Sequence, residues 1–268
     1  MKFVTTDRVQ LDYTSEGSGQ PVLFLTGFGG AKEIWQHQRR FLLDHHYRVI
    51  LLDLRNQGHS QHVSWGLRIS RLAADVHELC DFLKLKQLVL VGNSMGGSVI
   101  WSYLSLFGSQ DVAQILVVDQ SPKMLNEPDW PYGFKDLNWE NVATRLKSPL
   151  GHATFKHIDD DTFQLVTKVH QSYPFDEALN YPLLLNHAVQ DWRDVIGKLT
   201  IPMLLVLGQQ SPYFDYHFGD RVKKMSRFVE VALVSQSGHI VMAEQSCQFN
   251  QLLLAFLENG DKNLASFA

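Results

Sequence analysis

The stretch with the clearest chemical potential is Leu88–Gly97, which reads L-V-L-V-G-N-S-M-G-G. Its four leading apolar residues predict a strand buried on both faces, and a helical pattern follows as far as Phe107. Ser94 would therefore lie on a sharp turn from strand to helix, where small neighbours avoid a clash across the turn. This turn would lift the hydroxyl of Ser94 clear of the sheet, so we predict that Ser94 is a nucleophile.

A serine hydroxyl is a weak nucleophile at neutral pH and needs a general base, usually a histidine, whose tautomer is fixed by a carboxylate. The chain has 12 histidines, so the base has to be selected by position. His239 follows the last predicted strand and comes after the serine and the candidate acids, in the chain order Ser, Asp, His. We expect His239 to be the base.

Attack by a serine on a carbonyl group creates an oxyanion, which two backbone N–H groups would have to bind. The N–H of Met95, at the start of the predicted helix, is one candidate. The other is the N–H of Phe28, in the glycine-rich loop that follows the predicted strand Val22–Thr26. Taken alone, this loop is equally compatible with a plain tight turn.

Strands that alternate with helices indicate an α/β fold with a mostly parallel central sheet flanked by helices. Sites in such sheets lie beyond the carboxyl ends of the strands. Four candidate residues follow apparent strand ends, and we expect them to meet at one edge: Phe28, Ser94, Asp119 and His239. The predicted strands are Val9–Tyr13 at the sheet edge, and then Val22–Thr26, Arg48–Leu52, Leu88–Val91, Ile115–Val118, Pro202–Leu207 and Phe228–Val234.

The pattern changes between residues 121 and 198, where short helical stretches alternate with turns and three tryptophans occur. We interpret residues 121–198 as an insertion packed over the sheet end, with residues 1–120 and 199–268 forming the core. The aromatic content of the insertion favours a small apolar or aromatic group in the substrate.

Composition narrows the function classes. The 268 residues are 45% hydrophobic and carry a formal net charge of −4 without a long basic run, so nucleic-acid binding is not expected. No apolar stretch approaches the ~18 residues of a membrane span, and the N-terminus does not resemble a signal peptide, which favours the cytoplasm. We interpret Cys80 and Cys247 as free thiols in the core. Motifs for zinc, nucleotide phosphates or dinucleotides are not found, so neither a cofactor nor a metal is expected.

Four motifs together resemble the α/β-hydrolase superfamily, and the similarity extends over essentially the whole chain. They are Thr26–Gly30, the loop Asp53–Ser60, Gly92–Gly97 and Gly238-His239. Residues 121–198 stand where that superfamily carries its cap. The segment Val118–Leu125 is similar to the branch of cofactor-free haloperoxidase-like esterases. By this resemblance, Asp53 and Arg55 are expected to pair with each other or to bind loop backbone.

The chain departs from the superfamily at the acid of the triad. The usual aspartate follows the strand Pro202–Leu207 as Gly-x-x-Asp-Pro, whereas this chain has Ser211 at that point. A serine cannot balance the charge of an imidazolium. Asp119, 25 positions beyond Ser94, ends the strand where some members, including certain haloalkane dehalogenases, carry their acid. We expect Asp119 to be the acid, with Asp215 and an incomplete triad as the alternatives.

These residues predict a serine hydrolase that acts on small carboxylic esters by acyl transfer. Ser94 would attack, His239 would move the proton, Asp119 would hold His239, and the N–H groups of Phe28 and Met95 would bind the oxyanion. Alternatives are a cofactor-free haloperoxidase or perhydrolase, a C–C or lactone hydrolase, and a ligand-binding relative with a relic triad. The expected partner is a small ester-like molecule, and assembly into a homo-oligomer is left open.

Overall fold

The strands of this computed structural model, which describes residues 1–259, form one eight-stranded sheet in the order β1-β2-β4-β3-β5-β6-β7-β8. They are β1 Lys2–Val4, β2 Gln10–Glu16, β3 Pro21–Leu25, β4 Arg48–Asp53, β5 Leu88–Asn93, β6 Val112–Val118, β7 Met203–Gly208 and β8 Val229–Val234. The pairs β1–β2 and β2–β4 are antiparallel, and the remaining pairs from β4 to β8 are parallel. The carboxyl ends of six strands therefore meet at one edge.

Helices cover both faces of this sheet. They are α1 Gln36–Asp44, α2 Ile69–Phe82, α3 Met95–Phe107, α4 Val142–Arg145, α5 Asp160–Ser172, α6 Glu177–Ala188, α7 Arg193–Gly197, α8 Phe218–Lys223, α9 Val241–Glu244 and α10 Ser246–Asn259, with a 3₁₀ turn at Lys32–Trp35. None of the helices within residues 1–259 combines the length and the apolar character that crossing a membrane requires.

The two faces of the sheet explain the unbroken apolar runs. In β3, Leu23 and Leu25 pack in the cluster that contains α2 and α3, whereas Val22 and Phe24 pack in the cluster with α1 and α10. Successive side chains of a strand point to opposite faces, so a strand covered on both sides must be apolar throughout. The predicted α/β-hydrolase fold with a mostly parallel sheet is confirmed.

Two expectations about this core were wrong. The strand predicted at the sheet edge is β2, and it lies between β1 and β4, because the three residues of β1 add a further strand outside it. A strand of three residues is too short to show a recognisable alternation. Cys80 is buried as expected, but Cys247 is exposed, because α10 turns that position away from the sheet.

Residues 121–198 contain α4 to α7 and no strand longer than an isolated bridge within the described chain. Their buried side chains belong to the same apolar cluster as the sheet residues, among them Trp130, Phe134 and Leu183. A polar contact also joins the insertion to the core, since Asn56 Nδ2 donates to Asn180 Oδ1 at 2.9 Å. Residues 260–268, which the sequence places with the core, lie outside the described residues.

Candidate active site

Ser94 lies on the turn between β5 and α3 with a φ of 53° and a ψ of −124°. A positive φ is costly for a residue with a side chain, and such strain is typical of functional turns. A Cβ on Gly92 would lie 2.5 Å from the backbone carbon of Gly96, and one on Gly96 would lie 2.7 Å from the carbonyl oxygen of Leu25. The two glycines therefore permit the tight turn that their spacing predicts.

His239 lies on the loop between β8 and α9, and it is 3% exposed. Its Nδ1 atom is 2.6 Å from Oδ2 of Asp119, which is fully buried at the end of β6. A carboxylate at this distance accepts a hydrogen bond from the N–H of the ring, so Nδ1 carries the hydrogen and Nε2 is left as a proton acceptor. Asp119 itself has a φ of 48°, a second strained position at this edge.

The carboxylate of Asp119 is held by two groups from the strand beside it and the loop that follows. The hydroxyl of Ser211 donates to Oδ2 at 2.6 Å, and the backbone N–H of Gly208 donates to Oδ1 at 3.2 Å. Ser211 thus occupies the loop after β7 where the superfamily usually has its acid, and it contacts the carboxylate that stands one strand away. These bonds supply hydrogen-bond donors to the oxygens of a carboxylate that would otherwise be costly to bury.

Asp215, the alternative acid, lies in another environment. It is exposed, and its Oδ1 atom pairs with Nδ1 of His217 at 2.6 Å. Partial burial acts to raise the pKa of Asp215, but the backbone and side-chain hydrogen bonds from His217 lower it overall. Among the described residues no hydrogen bond joins Asp215 to His239, so the structure brings Asp119 to His239 and leaves Asp215 apart.

A cavity of about 320 Å³ lies at this edge of the sheet and is bordered by Ser94, His239 and Phe28. Its walls are mostly apolar and come from the insertion as well as the core. Met95 starts α3 directly after Ser94; its side chain is buried in the core, so only its backbone N–H is available to the site. Three of the five predicted site residues therefore border one cavity, Met95 follows Ser94 directly in the chain, and Asp119 contacts the site through His239.

Two residues that hold this site together were not predicted. Asn93 Nδ2 donates to the carbonyl oxygen of His239 at 3.0 Å and to that of Val118 at 3.3 Å, which ties the histidine loop to β5 and β6. In the serine motif Asn93 stands at a variable position, so the motif predicts no role for its amide. A buried amide next to a nucleophile could have signalled a structural role.

Glu244 is the second such residue, and it is 5% exposed on α9. Its Oε2 atom accepts hydrogen bonds from the backbone N–H groups of Phe155 at 2.8 Å, Lys156 at 3.1 Å and Gly238 at 3.0 Å. Its Oε1 atom accepts from the N–H of Ile240 at 3.2 Å. One buried carboxylate therefore joins the insertion to both residues that flank His239 in sequence.

The loop after β4 is built around Asp53, which accepts from the backbone N–H groups of Lys32 at 2.8 Å and His59 at 3.0 Å. Binding of loop backbone was expected for Asp53. Arg55 does not pair with Asp53, but it also binds loop backbone as expected, since Nη1 donates to the carbonyl oxygen of Trp65 at 3.3 Å. Its Nε donates to Oδ2 of Asp75 on α2 at 2.6 Å. Arg55 pairs with Asp75 and not with Asp53 because its guanidinium lies against α2.

Three side chains of the kind that ligate metals lie close together here: donor atoms of Asp12 on β2 and of Asp53 and His59 fall within 4.8 Å of one another. The ammonium of Lys32 lies 2.6 Å from a carboxylate oxygen of both Asp12 and Asp53. A lysine therefore already supplies the positive charge that these carboxylates need. Although burial acts to lower it, the pKa of Lys32 is raised overall by these carboxylates, so the lysine remains charged.

A family model described as the alpha/beta hydrolase fold matches residues 20–158. The chain belongs to the α/β-hydrolase family. A non-heme haloperoxidase of Rhodococcus erythropolis is 33% identical over 126 residues, which cover 47% of this chain and 46% of that protein. The resemblance to haloperoxidase-like esterases is thereby confirmed.

Solved structures share the fold of this α/β hydrolase over nearly its whole length. An esterase from Exiguobacterium antarcticum superposes with a TM-score of 0.86 at 21% identity, covering 96% of this chain and 99% of that one. A bromoperoxidase from Bacillus anthracis gives a TM-score of 0.83 at 22% identity, with 96% and 100% covered. At these identities the similarity shows the fold alone.

Proposed function

We propose that this α/β hydrolase is a serine esterase that acts on small carboxylic esters through Ser94, His239 and Asp119. The observation that carries the proposal is the 2.6 Å hydrogen bond between His239 Nδ1 and Asp119 Oδ2, at a cavity that Ser94 also borders. A base that is oriented by a buried carboxylate beside a strained serine is the arrangement that nucleophilic catalysis requires.

In the proposed mechanism, Oγ of Ser94 attacks the carbonyl carbon of the ester while Nε2 of His239 takes the hydroxyl proton. The N–H groups of Phe28 and Met95 bind the oxyanion of the tetrahedral intermediate. Collapse of the intermediate breaks the bond to the alcohol oxygen, and His239 returns the proton to that oxygen. Water then attacks the acyl-enzyme in the same way and releases the acid.

The proton transfer needs Ser94 and His239 within hydrogen-bond distance. They border the same cavity, but within residues 1–259 no hydrogen bond joins them. Rotation of the serine side chain about χ1 moves Oγ without moving the backbone, and such bonds often tighten only when substrate is bound. We therefore assign the formation of this bond to the substrate complex.

Residues 121–198 form the cap in this proposal. They contribute apolar side chains to the cavity, among them Met124, Phe134 and Leu184. A volume of about 320 Å³ is at the small end of the range for ligand pockets. These walls and this volume favour small acyl and alcohol groups and disfavour charged ones.

The proposal is tested with p-nitrophenyl esters of graded acyl length and with a fluorophosphonate that labels activated serines. Wild-type protein is expected to hydrolyse the short esters and to be labelled once. Ser94→Ala is expected to lose both properties, whereas Ser105→Ala, an exposed serine on the same helix, should retain them. Equal hydrolysis by wild type and Ser94→Ala would refute the assignment, and an unlabelled wild type would favour a ligand-binding relative.

A second candidate function is perhydrolysis, which the names of the Rhodococcus haloperoxidase and the Bacillus bromoperoxidase favour. Here hydrogen peroxide would replace water in the attack on the acyl-enzyme, giving a peracid that can oxidise halide. The test adds hydrogen peroxide and acetate to the enzyme. Peracid formation much faster than ester hydrolysis supports this function, and slower formation supports the esterase.

A further inference from the structure

His187 is a cap residue that the proposed mechanism does not use. It lies near the end of α6, borders the cavity and is 3% exposed. Neither ring nitrogen has a hydrogen-bond partner among residues 1–259: Nδ1 is fully buried, whereas Nε2 keeps some accessible surface and is the nitrogen that a molecule in the cavity can reach. Because a buried polar atom without a partner is destabilising, such atoms are rare and call for an explanation.

Two other polar side chains around the cavity have partners, and Thr154, whose hydroxyl makes no hydrogen bond within residues 1–259, is only half-buried. Nε2 of His170 lies 3.1 Å from a backbone carbonyl oxygen in the oxyanion loop, and the hydroxyl of Tyr213 donates to a backbone carbonyl oxygen at 3.0 Å. Thr26 Oγ1 also has no hydrogen-bond partner within residues 1–259, but Thr26 belongs to the core and not to the cap, at the start of the glycine-rich loop that contains Phe28. On the cap side of the described cavity, His187 is therefore the buried polar group whose missing hydrogen bond a substrate could supply.

The charge of His187 limits what this group can be. Burial, together with the nearby His239, lowers the pKa of His187 to about 3. The imidazole is thus neutral at the pH of catalysis, with one N–H donor and one acceptor nitrogen. Its complement is a neutral polar group, since pairing with a carboxylate would favour a cation that the apolar surroundings oppose.

Building on the proposed esterase activity, we propose that His187 recognises a neutral polar group in the part of the ester that lies under the cap. The preferred substrates are then small esters that carry an ether, keto, hydroxyl or amide group besides the ester itself. The apolar walls from Met124, Phe134 and Leu184 surround the rest of the molecule. Plain alkyl esters of equal length are poorer substrates because they leave the imidazole unpaired.

The test compares esters of equal length that differ in one atom. On the acyl side, p-nitrophenyl 3-methoxypropanoate is paired with the pentanoate, and the 4-methoxybutanoate with the hexanoate. On the alcohol side, 2-methoxyethyl acetate is paired with butyl acetate. The rate of alkaline hydrolysis of each ester corrects for its intrinsic reactivity. The measured quantity is the ratio of kcat/KM for the ether to that for the plain ester.

In wild type the corrected ratio is expected to exceed one for at least one pair, on either side. In His187→Leu this ratio should fall by about tenfold or more, mainly through KM, because a buried hydrogen bond is lost. Leu185→Met, on the same helix but outside the lining of the cavity, should keep the wild-type ratio. If His187→Leu does not fold, His187→Phe makes the same comparison with a ring of similar shape.

Different experimental results would refute substrate recognition by His187 and the esterase activity on which it rests. If wild type hydrolyses both members of every pair but His187 variants leave all ratios unchanged, His187 does not recognise substrate and the esterase assignment stands. If wild type hydrolyses neither member and Ser94 is not labelled by fluorophosphonate, the esterase assignment itself is refuted.

Discussion

Ser211 Oγ lies 2.6 Å from Asp119 Oδ2, the same oxygen that is 2.6 Å from Nδ1 of His239. Ser211 and Asp119 follow adjacent parallel strands, since the N–H of Asp119 donates to the carbonyl oxygen of Val206 in β7. Relative to the usual superfamily arrangement, the carboxylate follows the neighbouring strand, and a hydroxyl stands at the position of the usual acid. Both arrangements leave one carboxylate at the histidine ring.

Asp119→Asn is expected to lower kcat by about three to four orders of magnitude with little change in KM, because an amide cannot stabilise the imidazolium or fix its tautomer. Asp215→Asn is the matched control, and it should retain nearly full kcat because Asp215 pairs with His217. Steady-state hydrolysis of a p-nitrophenyl ester measures both. A large loss in Asp215→Asn with an active Asp119→Asn would reassign the acid.

The double variant Asp119→Asn/Ser211→Asp tests whether the acid can stand on either strand. A carboxylate at 211 starts from a side chain that already reaches within 2.6 Å of the oxygen bound to His239. We expect the second substitution to restore about tenfold or more of the kcat lost in Asp119→Asn, since an orienting charge returns. Ser211→Asp alone places two carboxylates together and should be less active than wild type. No recovery in the double variant would mean that the backbone at 211 cannot direct a carboxylate to the ring.

Much of the framework is predictable from local patterns. The apolar runs of β3 and β5 require burial on both faces, and the glycines around Ser94 require a turn in which a Cβ would collide with backbone. These are properties of a few consecutive residues. The position of Asp119 is also predictable, because a parallel topology puts the ends of neighbouring strands together.

Contacts between distant segments were not predictable. Glu244 binds the N–H groups of Phe155 and Lys156, which lie 89 and 88 positions away in the sequence. The burial of His187 follows from the packing of α6 against α2 and α4, which no local pattern encodes. The position of β1 at the sheet edge likewise depends on its pairing with β2, which a pattern of three residues is too short to predict.

Glu244→Gln is expected to lower kcat about tenfold with a smaller change in KM, because the amide directs an N–H₂ group at backbone N–H donors. The loop that carries His239 and the insertion segment at Phe155 then lose a shared acceptor. The free energy of unfolding should fall by ~1–3 kcal/mol. Ester hydrolysis and urea unfolding measure the two effects.

Glu258→Gln, an exposed change of the same kind on α10, is the control for this prediction and should leave both quantities unchanged. Labelling of Ser94 by fluorophosphonate should also slow in Glu244→Gln, since His239 activates the serine. Reduced stability with unchanged labelling and kcat would show that Glu244 is structural only.

The stability of the protein should depend on pH through His187. Its pKa is lowered by burial from 6.5 to about 3 in the folded state, so between these values the unfolded chain binds more protons than the folded protein. The contribution of this group to the free energy of unfolding is therefore fully present above pH 6.5, and it decreases as the pH falls toward 3. From pH 7 to pH 5 this group should cost about 2 kcal/mol, because each pH unit below 6.5 removes ~1.4 kcal/mol.

His187→Phe removes the titrating group, so its loss of unfolding free energy between pH 7 and pH 5 should be about 2 kcal/mol smaller than that of wild type. His62→Gln, which replaces an exposed histidine, should keep the wild-type dependence. Urea unfolding of each protein at both pH values provides the differences to compare. Because carboxylates and the remaining histidines titrate alike in wild type and variant, their contributions cancel in the comparison. An identical pH dependence in wild type and His187→Phe would mean that the imidazole becomes charged in the folded protein, and the neutral ring required for recognising an uncharged group would be lost.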